Sequence, residues 1–168
     1  MIRSDQEWLR TYLDYNPRTG VFTWRIKRKG RPHGYIPAGT QAGSIYPNGY
    51  RVIVIEGKRF TAARLAVLWM MGHWPPYEVD HINRNRSDDR WCNLRLATKF
   101  QNHGNAVYPN RSGFKGVCWE AKRNKFKAYI QIEGRSIHLG RFDTAEEAAA
   151  AYIKAAKMYF GKFAREST

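Results

Sequence analysis

The residues best suited to chemistry in this chain are a carboxylate and an imidazole side by side, Asp80 and His81, in Glu78-Val79-Asp80-His81-Ile82-Asn83. Twelve residues after His81 comes Asn93, inside Asn93-Leu94-Arg95-Leu96-Ala97-Thr98, and Asn102 follows in Thr98-Lys99-Phe100-Gln101-Asn102. Carboxylate and amide oxygens suit a hard cation, and an imidazole suits proton transfer. The elements that must position them are legible. Asp80-His81 reads as strand, and the alternation of Leu94 and Leu96 predicts a second strand. Thr98 with Gln101 forms a capping box, which starts a helix carrying Asn102 in its first turn. Strand, loop, strand and helix make a small frame on which the polar residues can converge. An isolated Asp-His pair is more often a plain polar contact; the spacing of Asn93 and the capped helix set this one apart. Asp88 and Asp89 read as turn formers in the loop. Arg84, Arg86 and Arg90 read either as phosphate contacts or as solvated cations, and His33 and His73 have no constellation around them.

The set Asp80-His81 … Asn93-Leu94-Arg95 … Gln101-Asn102 resembles the HNH nuclease motif, which folds as a ββα-metal unit. It is most similar to the phage and intron-associated HNH homing endonucleases. The upstream Gly-Tyr-Arg-Val … Arg-Leu-Ala … Trp-Pro-Pro run also resembles what precedes the motif in phage members. The resemblance implies that Asp80 and Asn102 supply oxygen ligands to one divalent metal, Mg²⁺ first and Mn²⁺ second, with water and phosphate completing the shell. It implies that His81 takes a proton from the attacking water, while Asn93 accepts a hydrogen bond from the other ring nitrogen and fixes its aim. Products with 5′ phosphate and 3′ hydroxyl ends would follow. Many family members carry His at the third motif position. His103 is therefore the adjacent alternative to Asn102, although one residue along a helix turns a side chain by about 100°.

Composition agrees with a polyanionic partner. The 168 residues carry 29 Lys+Arg against 14 Asp+Glu, a formal charge of +15. Both ends share it, with a net of +9 over residues 1–110 and +6 over 111–168. Neutralising phosphate with release of counterions is what such an excess does best. A ribosome-like or merely soluble basic protein is the bland reading. The hydrophobic fraction of 43% supports real cores and excludes a disordered basic tail. Cys92 and Cys118 match no zinc spacing and predict no disulfide framework. No apolar run approaches the roughly 20 residues that span a bilayer, and the start lacks a secretion pattern. The expectation is a soluble protein of the cytoplasm, the host cell's if phage-encoded, with no membrane partner.

The N-terminal residues read as an α+β scaffold. Ser4 and Glu7 cap a helix to Leu13, Asn16-Pro17-Arg18-Thr19-Gly20 is a turn, and a strand follows at 21–26. Asn48-Gly49 signals a hairpin into a strand at 50–55. A buried helix runs from Thr61 to Met71 and stops at Gly72. The segment 105–112 reads as a linker. Beyond it stand three strand candidates, near 115–119, 125–132 and 136–139. A helix from Thr144 to Phe160 follows, capped by Thr144 with Glu147 and packing through Ala148, Tyr152, Ala155 and Tyr159.

Gly113-Phe114-Lys115-Gly116-Val117-Cys118-Trp119 and Leu139-Gly140-Arg141-Phe142-Asp143-Thr144-Ala145-Glu146-Glu147-Ala148 resemble the APETALA-two/ethylene-response-factor type of DNA-binding domain. That resemblance implies a three-stranded sheet laid in the major groove, with a helix behind it. Alternation turns Val117, Ala128, Ile130, Ile137 and Leu139 towards the helix. Lys115, Lys125, Lys127, Tyr129, Gln131 and His138 then face the DNA, and Arg95 of the nuclease motif joins the DNA-contacting set.

The sequence thus predicts an α+β protein in three parts: an N-terminal α+β scaffold over 1–76, a ββα-metal nuclease motif over 77–108, and a linker with the sheet-plus-helix domain over 109–168. The predicted activity is a site-specific DNA endonuclease of homing type acting on double-stranded DNA. One site per chain predicts a monomer that nicks one strand. The rival from another class is a non-catalytic DNA-binding regulator with a decayed HNH module. A nuclease directed at RNA is a second, which the narrow A-form major groove disfavours.

Overall fold

The computed structural model describes residues 4–29, 34–105 and 112–164, with the side chains of 103–105 left out. The chain divides into two compact units, Met1–Leu96 and Ala97–Thr168. The division therefore falls inside the expected nuclease segment 77–108 rather than at its ends. Packing explains it: Val79 and Leu94 belong to the first unit's core, whereas Ala97 and Phe100 pack with Tyr152 and Phe160 in the second.

In the first unit, α1 (Asp5–Tyr12) starts at the reciprocal Ser4–Glu7 capping box. It leads into β1 (Leu13–Asn16), which pairs antiparallel with β2 (Val21–Trp24). The Asn16 side chain accepts from the N–H groups of Arg18 and Thr19, so the Asn-Pro-Arg-Thr-Gly run closes as a turn. Two short strands, β3 (Arg28–Lys29) and β4 (Tyr35–Ile36), pair with each other. Then β5 (Ser44–Ile45), β6 (Arg51–Ile55) and β7 (Lys58–Thr61) form an antiparallel sheet in that order. The Asn48-Gly49 signal falls in the first connection, and Glu56-Gly57, both at positive φ, make the second. Helix α2 (Ala62–Met71) buries Leu65, Ala66 and Leu68 and ends on Gly72 in the left-handed conformation. Leu9, Leu13, Phe22, Trp24, Ile53 and Leu68 are core. β8 (Glu78–His81) and β9 (Leu94–Ala97) then pair, and a 3₁₀ turn at Trp91–Asn93 precedes β9.

The second unit opens with α3 (Lys99–Asn105). Its predicted cap is present: Gln101 N–H donates to the Thr98 hydroxyl, and Gln101 Oε1 accepts from Thr98 N–H. The sheet of β10 (Val117–Glu120), β11 (Lys125–Ile132) and β12 (Arg135–Phe142) is antiparallel throughout. The first strand begins two residues later than the expected 115, because Gly116 holds a positive φ of 71°. A Cβ there would stand 2.2 Å from the Tyr152 ring and 2.5 Å from the Tyr129 carbonyl oxygen, so only glycine fits between sheet and helix. Helix α4 (Ala145–Phe160), capped by Thr144 and Glu147, covers one sheet face with Ala148, Tyr152, Ala156 and Phe160. Tyr159, expected on that face, is 40% exposed; the buried stripe advances by fours from Ala148 and leaves it outside. The expected linker lies almost entirely outside the described residues. Among the described residues no helix is long and apolar enough to cross a membrane, and Cys92 and Cys118 are free.

Candidate active site and nucleic-acid face

Four polar side chains are buried in the described chain: Asp80, His81, Asp89 and Asn93, each 6% exposed or less. Burying such groups is costly unless each finds a partner, so their partners define the site. Asp80 and His81 are consecutive on β8, where alternation sends them to opposite faces. Asp80 Oδ2 receives Nε and Nη2 of Arg95 at 2.8 and 2.7 Å. Arg95 was expected on DNA; β9 pairs with β8 and brings its guanidinium, 14% exposed, onto Asp80.

The His81 ring meets a residue whose sequence context is that of a turn former. Its Nε2 lies 3.0 Å from Asp89 Oδ1, with the two side chains 3% and 2% exposed. Asp89 Oδ2 has no hydrogen-bond partner among the described residues. The neighbouring Asp88 takes a cationic partner instead. It binds Arg90 through both oxygens at 2.7 and 2.6 Å and accepts from the Asn83 amide. The Arg90 guanidinium first, and Asn83 after it, hold the Asp88 carboxyl down to about 2. The one sequence signal for Asp89 is this pairing: Arg90 matches only one of two adjacent acids, and the other turns inward.

Asn93 also works differently from the expectation that it aims the imidazole. Its Oδ1 accepts from Asn83 N–H at 2.9 Å, and its Nδ2 donates to Asn83 Oδ1 and the Asp88 carbonyl at 3.0 and 2.8 Å. Its own carbonyl accepts from Ile82 N–H. Both amide hydrogens are thus engaged in closing the loop from Asn83 to Asp88, and Asp89 stands at the imidazole instead. The effect on His81 is indirect: Asn93 fixes the loop that delivers Asp89.

The N-terminal hairpin braces that loop from outside. The Tyr15 hydroxyl donates to the Asp89 carbonyl at 2.7 Å, and Trp91 N–H donates to the Pro17 carbonyl at 3.0 Å. Burial, with the Asp89 charge adding to it, pushes the Tyr15 phenol above the ordinary tyrosine range. Gly20, at φ +74°, lets the turn lie directly on the loop backbone, since a Cβ would sit 2.4 Å from Arg90 N and 2.5 Å from the Asp89 carbonyl carbon. The scaffold reaches the imidazole as well: the Tyr50 ring lies 5.9 Å from that of His81.

Asn102 sits in α3 with its N–H on the Thr98 carbonyl, and so belongs to the second unit, while Asp80, His81 and Asn93 belong to the first. The His103 side chain lies outside the described residues. Among those described, no group of three or more His, Cys, Asp or Glu side chains is arranged to hold a metal.

In the C-terminal sheet the register pairs Cys118 with Lys127, Lys127 with Arg141, Tyr129 with His138 and Gln131 with Ser136. These residues share the face opposite α4, as the alternation predicted for Lys127, Tyr129, Gln131 and His138. Lys115 falls in the turn before β10, and Lys125 is ion-paired with Asp143. Arg141 was missed. Strict alternation from His138 turns it inward, but a bulge beside Ala128 and Tyr129 lets the chain gain a residue and restores Arg141 to the outer face. There its Nε donates to Glu120 at 2.6 Å and its Nη1 lies 3.2 Å from His138 Nε2. Arg141 holds the Glu120 carboxyl below its usual range.

Comparison with known proteins meets this geometry at both places. Residues 61–103 match the HNH endonuclease family model, and residues 112–162 match the AP2 domain model. Protein 3.8 of Escherichia phage T7 is 34% identical over 91 residues, covering 53% of this chain and 74% of the relative. An uncharacterized HNH endonuclease of Acanthamoeba polyphaga mimivirus is 34% identical over 154 residues, 90% of this chain and 70% of the relative. The second alignment runs through both matched regions. The chain belongs to the HNH endonuclease family, a nuclease with a DNA-binding AP2 domain behind its HNH segment.

Proposed function

We propose that the protein hydrolyses a phosphodiester of double-stranded DNA with His81 as general base, one divalent metal as electrophile, and the C-terminal sheet as the element that selects the site. The observation that carries this reading is the buried pair of His81 Nε2 and Asp89 Oδ1 at 3.0 Å. A carboxylate on Nε2 makes that nitrogen the donor and leaves the lone pair on Nδ1, the tautomer that a base requires. Nδ1 then accepts a proton from water as its oxygen attacks phosphorus, and Asp89 stabilises the imidazolium that forms. The bond from phosphorus to the 3′ oxygen breaks and that oxygen takes a proton from solvent, leaving 5′ phosphate and 3′ hydroxyl ends. Asp89 is a positioning residue, and Asn93, Tyr15 and Gly20 hold it in place.

The donor chemistry of Asp80 fits a hard cation. Its carboxylate oxygens are ligands that Mg²⁺ and Mn²⁺ take, and a site completed by phosphate and water needs no cluster of three acidic or imidazole groups. When bound, the metal supplies positive charge to the phosphate oxygens and the leaving 3′ oxygen. The grip of Arg95 on Oδ2 fixes the orientation in which Asp80 presents its carboxylate. Each chain carries one such set, so a single copy nicks one strand. A homing role accords with the phage and giant-virus relatives.

The test is conversion of supercoiled plasmid to the nicked form with Mg²⁺, with Mn²⁺ and with EDTA, for wild type and His81→Ala. Nicking that needs a metal and disappears in the variant is the expected result. Equal nicking by the variant overturns the assigned base. A wild type that binds the plasmid and leaves it intact points instead to a DNA-binding regulator.

A further inference from the structure

Three arginines lie in the loop after His81, and the structure gives them different surroundings. Arg90 is engaged through Nε and Nη2 with Asp88. Arg84 is exposed on a left-handed backbone at φ 65°, and no described residue holds its guanidinium. Arg86 is exposed but anchored. Its Nη1 donates to the Asn48 carbonyl at 2.9 Å, and its guanidinium carbon lies 5.0 Å from the centroid of the Tyr50 ring. The stem passes over Gly49, where an added Cβ would stand 3.5 Å from Arg86 Cβ. The same Tyr50 ring lies 5.9 Å from His81. One tyrosine ring therefore neighbours both the imidazole and a fixed cation, and no described group engages Nε or Nη2 of that cation.

We infer that Arg86 binds a backbone phosphate of the strand being cut and sets the scissile bond against His81. The assignment rests on the reading of His81 given above and goes beyond it by naming the group that holds the substrate. A guanidinium offers parallel N–H donors matched to two phosphate oxygens, which a lysine ammonium does not. Ordering a long side chain normally opposes binding; Asn48 and Tyr50 have ordered this one already. The hairpin that carries Asn48 and Tyr50 thereby becomes part of the substrate site and not scaffold alone.

Two measurements test the inference. The first is DNA affinity against salt, in a His81→Ala background so that the DNA stays intact. Adding Arg86→Ala should lower the slope of log K against log salt by about 0.9, the value of one phosphate contact on B-DNA. The second is single-turnover nicking at saturating DNA with His81 present. Arg86→Ala should slow it about 10- to 100-fold, and Arg86→Lys should restore the salt slope without restoring the rate, since a point charge attracts phosphate but does not orient it. An unchanged slope in a variant that melts like wild type overturns the phosphate contact. A lysine variant as fast as wild type overturns the positioning role. A wild type that does not cut defeats the assigned chemistry, while the salt slope still decides whether Arg86 meets phosphate.

Discussion

Replacing Asp89 by Asn keeps the outline of the side chain and removes its charge from beside the His81 ring. The amide oxygen still accepts from Nε2–H, so the ground-state tautomer survives; what is lost is attraction for the imidazolium that forms as the water is deprotonated. A hydrogen bond to a charged group is worth about 1.5–3 kcal/mol and a neutral one about 0.5–1.5, so the smallest expected loss is about 1 kcal/mol. Two unit charges about 4 Å apart at an effective dielectric near 20 attract by about 4 kcal/mol, which bounds the loss from above. With a tenfold change for about every 1.4 kcal/mol, kcat should fall between about 5- and 1000-fold. KM for DNA should hold, because the Asp89 side chain is 2% exposed and does not reach the substrate. The new amide nitrogen takes the place of Oδ2, which has no hydrogen-bond partner among the described residues. An unmatched buried donor costs about 1–3 kcal/mol, so Tm should drop by several degrees. The assay is single-turnover nicking over a range of DNA concentrations, with a melting curve on the same sample. A folded variant whose kcat stays within about twofold of wild type, or whose loss appears in KM alone, refutes the reasoning.

Three further outcomes follow from the same contacts. Gly20→Ala forces a Cβ onto the backbone of Asp89 and Arg90 at positive φ, and should cost about 1–3 kcal/mol in a urea melt while lowering kcat. Glu120→Gln releases Arg141 on the outer sheet face. DNA should bind more tightly, with a salt slope steeper by about one contact, read by fluorescence anisotropy between low and moderate salt. Because Arg90 holds the Asp88 carboxyl down to about 2, the stability it lends is fully present above the ordinary aspartate value near 4 and fades as pH falls through about 2. The Tm difference between wild type and Asp88→Asn should therefore be constant above about pH 4 and close as the pH is lowered.

The local signals in the sequence determined the elements. The capping boxes at Ser4, Thr98 and Thr144, the turn at Asn48-Gly49, and the alternation along 125–132 each act within a few residues, so spacing alone reveals them. The same short-range order made the HNH and AP2 segments recognisable and put Asp80 and His81 on one strand. Tertiary structure decided which polar groups meet. Asp89 was legible only as a turn acid, since its role needs His81 on Nε2 and Tyr15, 74 residues away, on its carbonyl. Arg95 lies on Asp80 because strand pairing brought it there, and Arg141 lies on the outer sheet face because one bulge shifted the phase of β12. Asn93 turned from a ring partner into a loop clamp for a similar reason. Hydrogen bonds between side chains distant in sequence leave no periodic trace. Burial selects them, because a carboxylate or imidazole removed from water must find a partner wherever the fold supplies one.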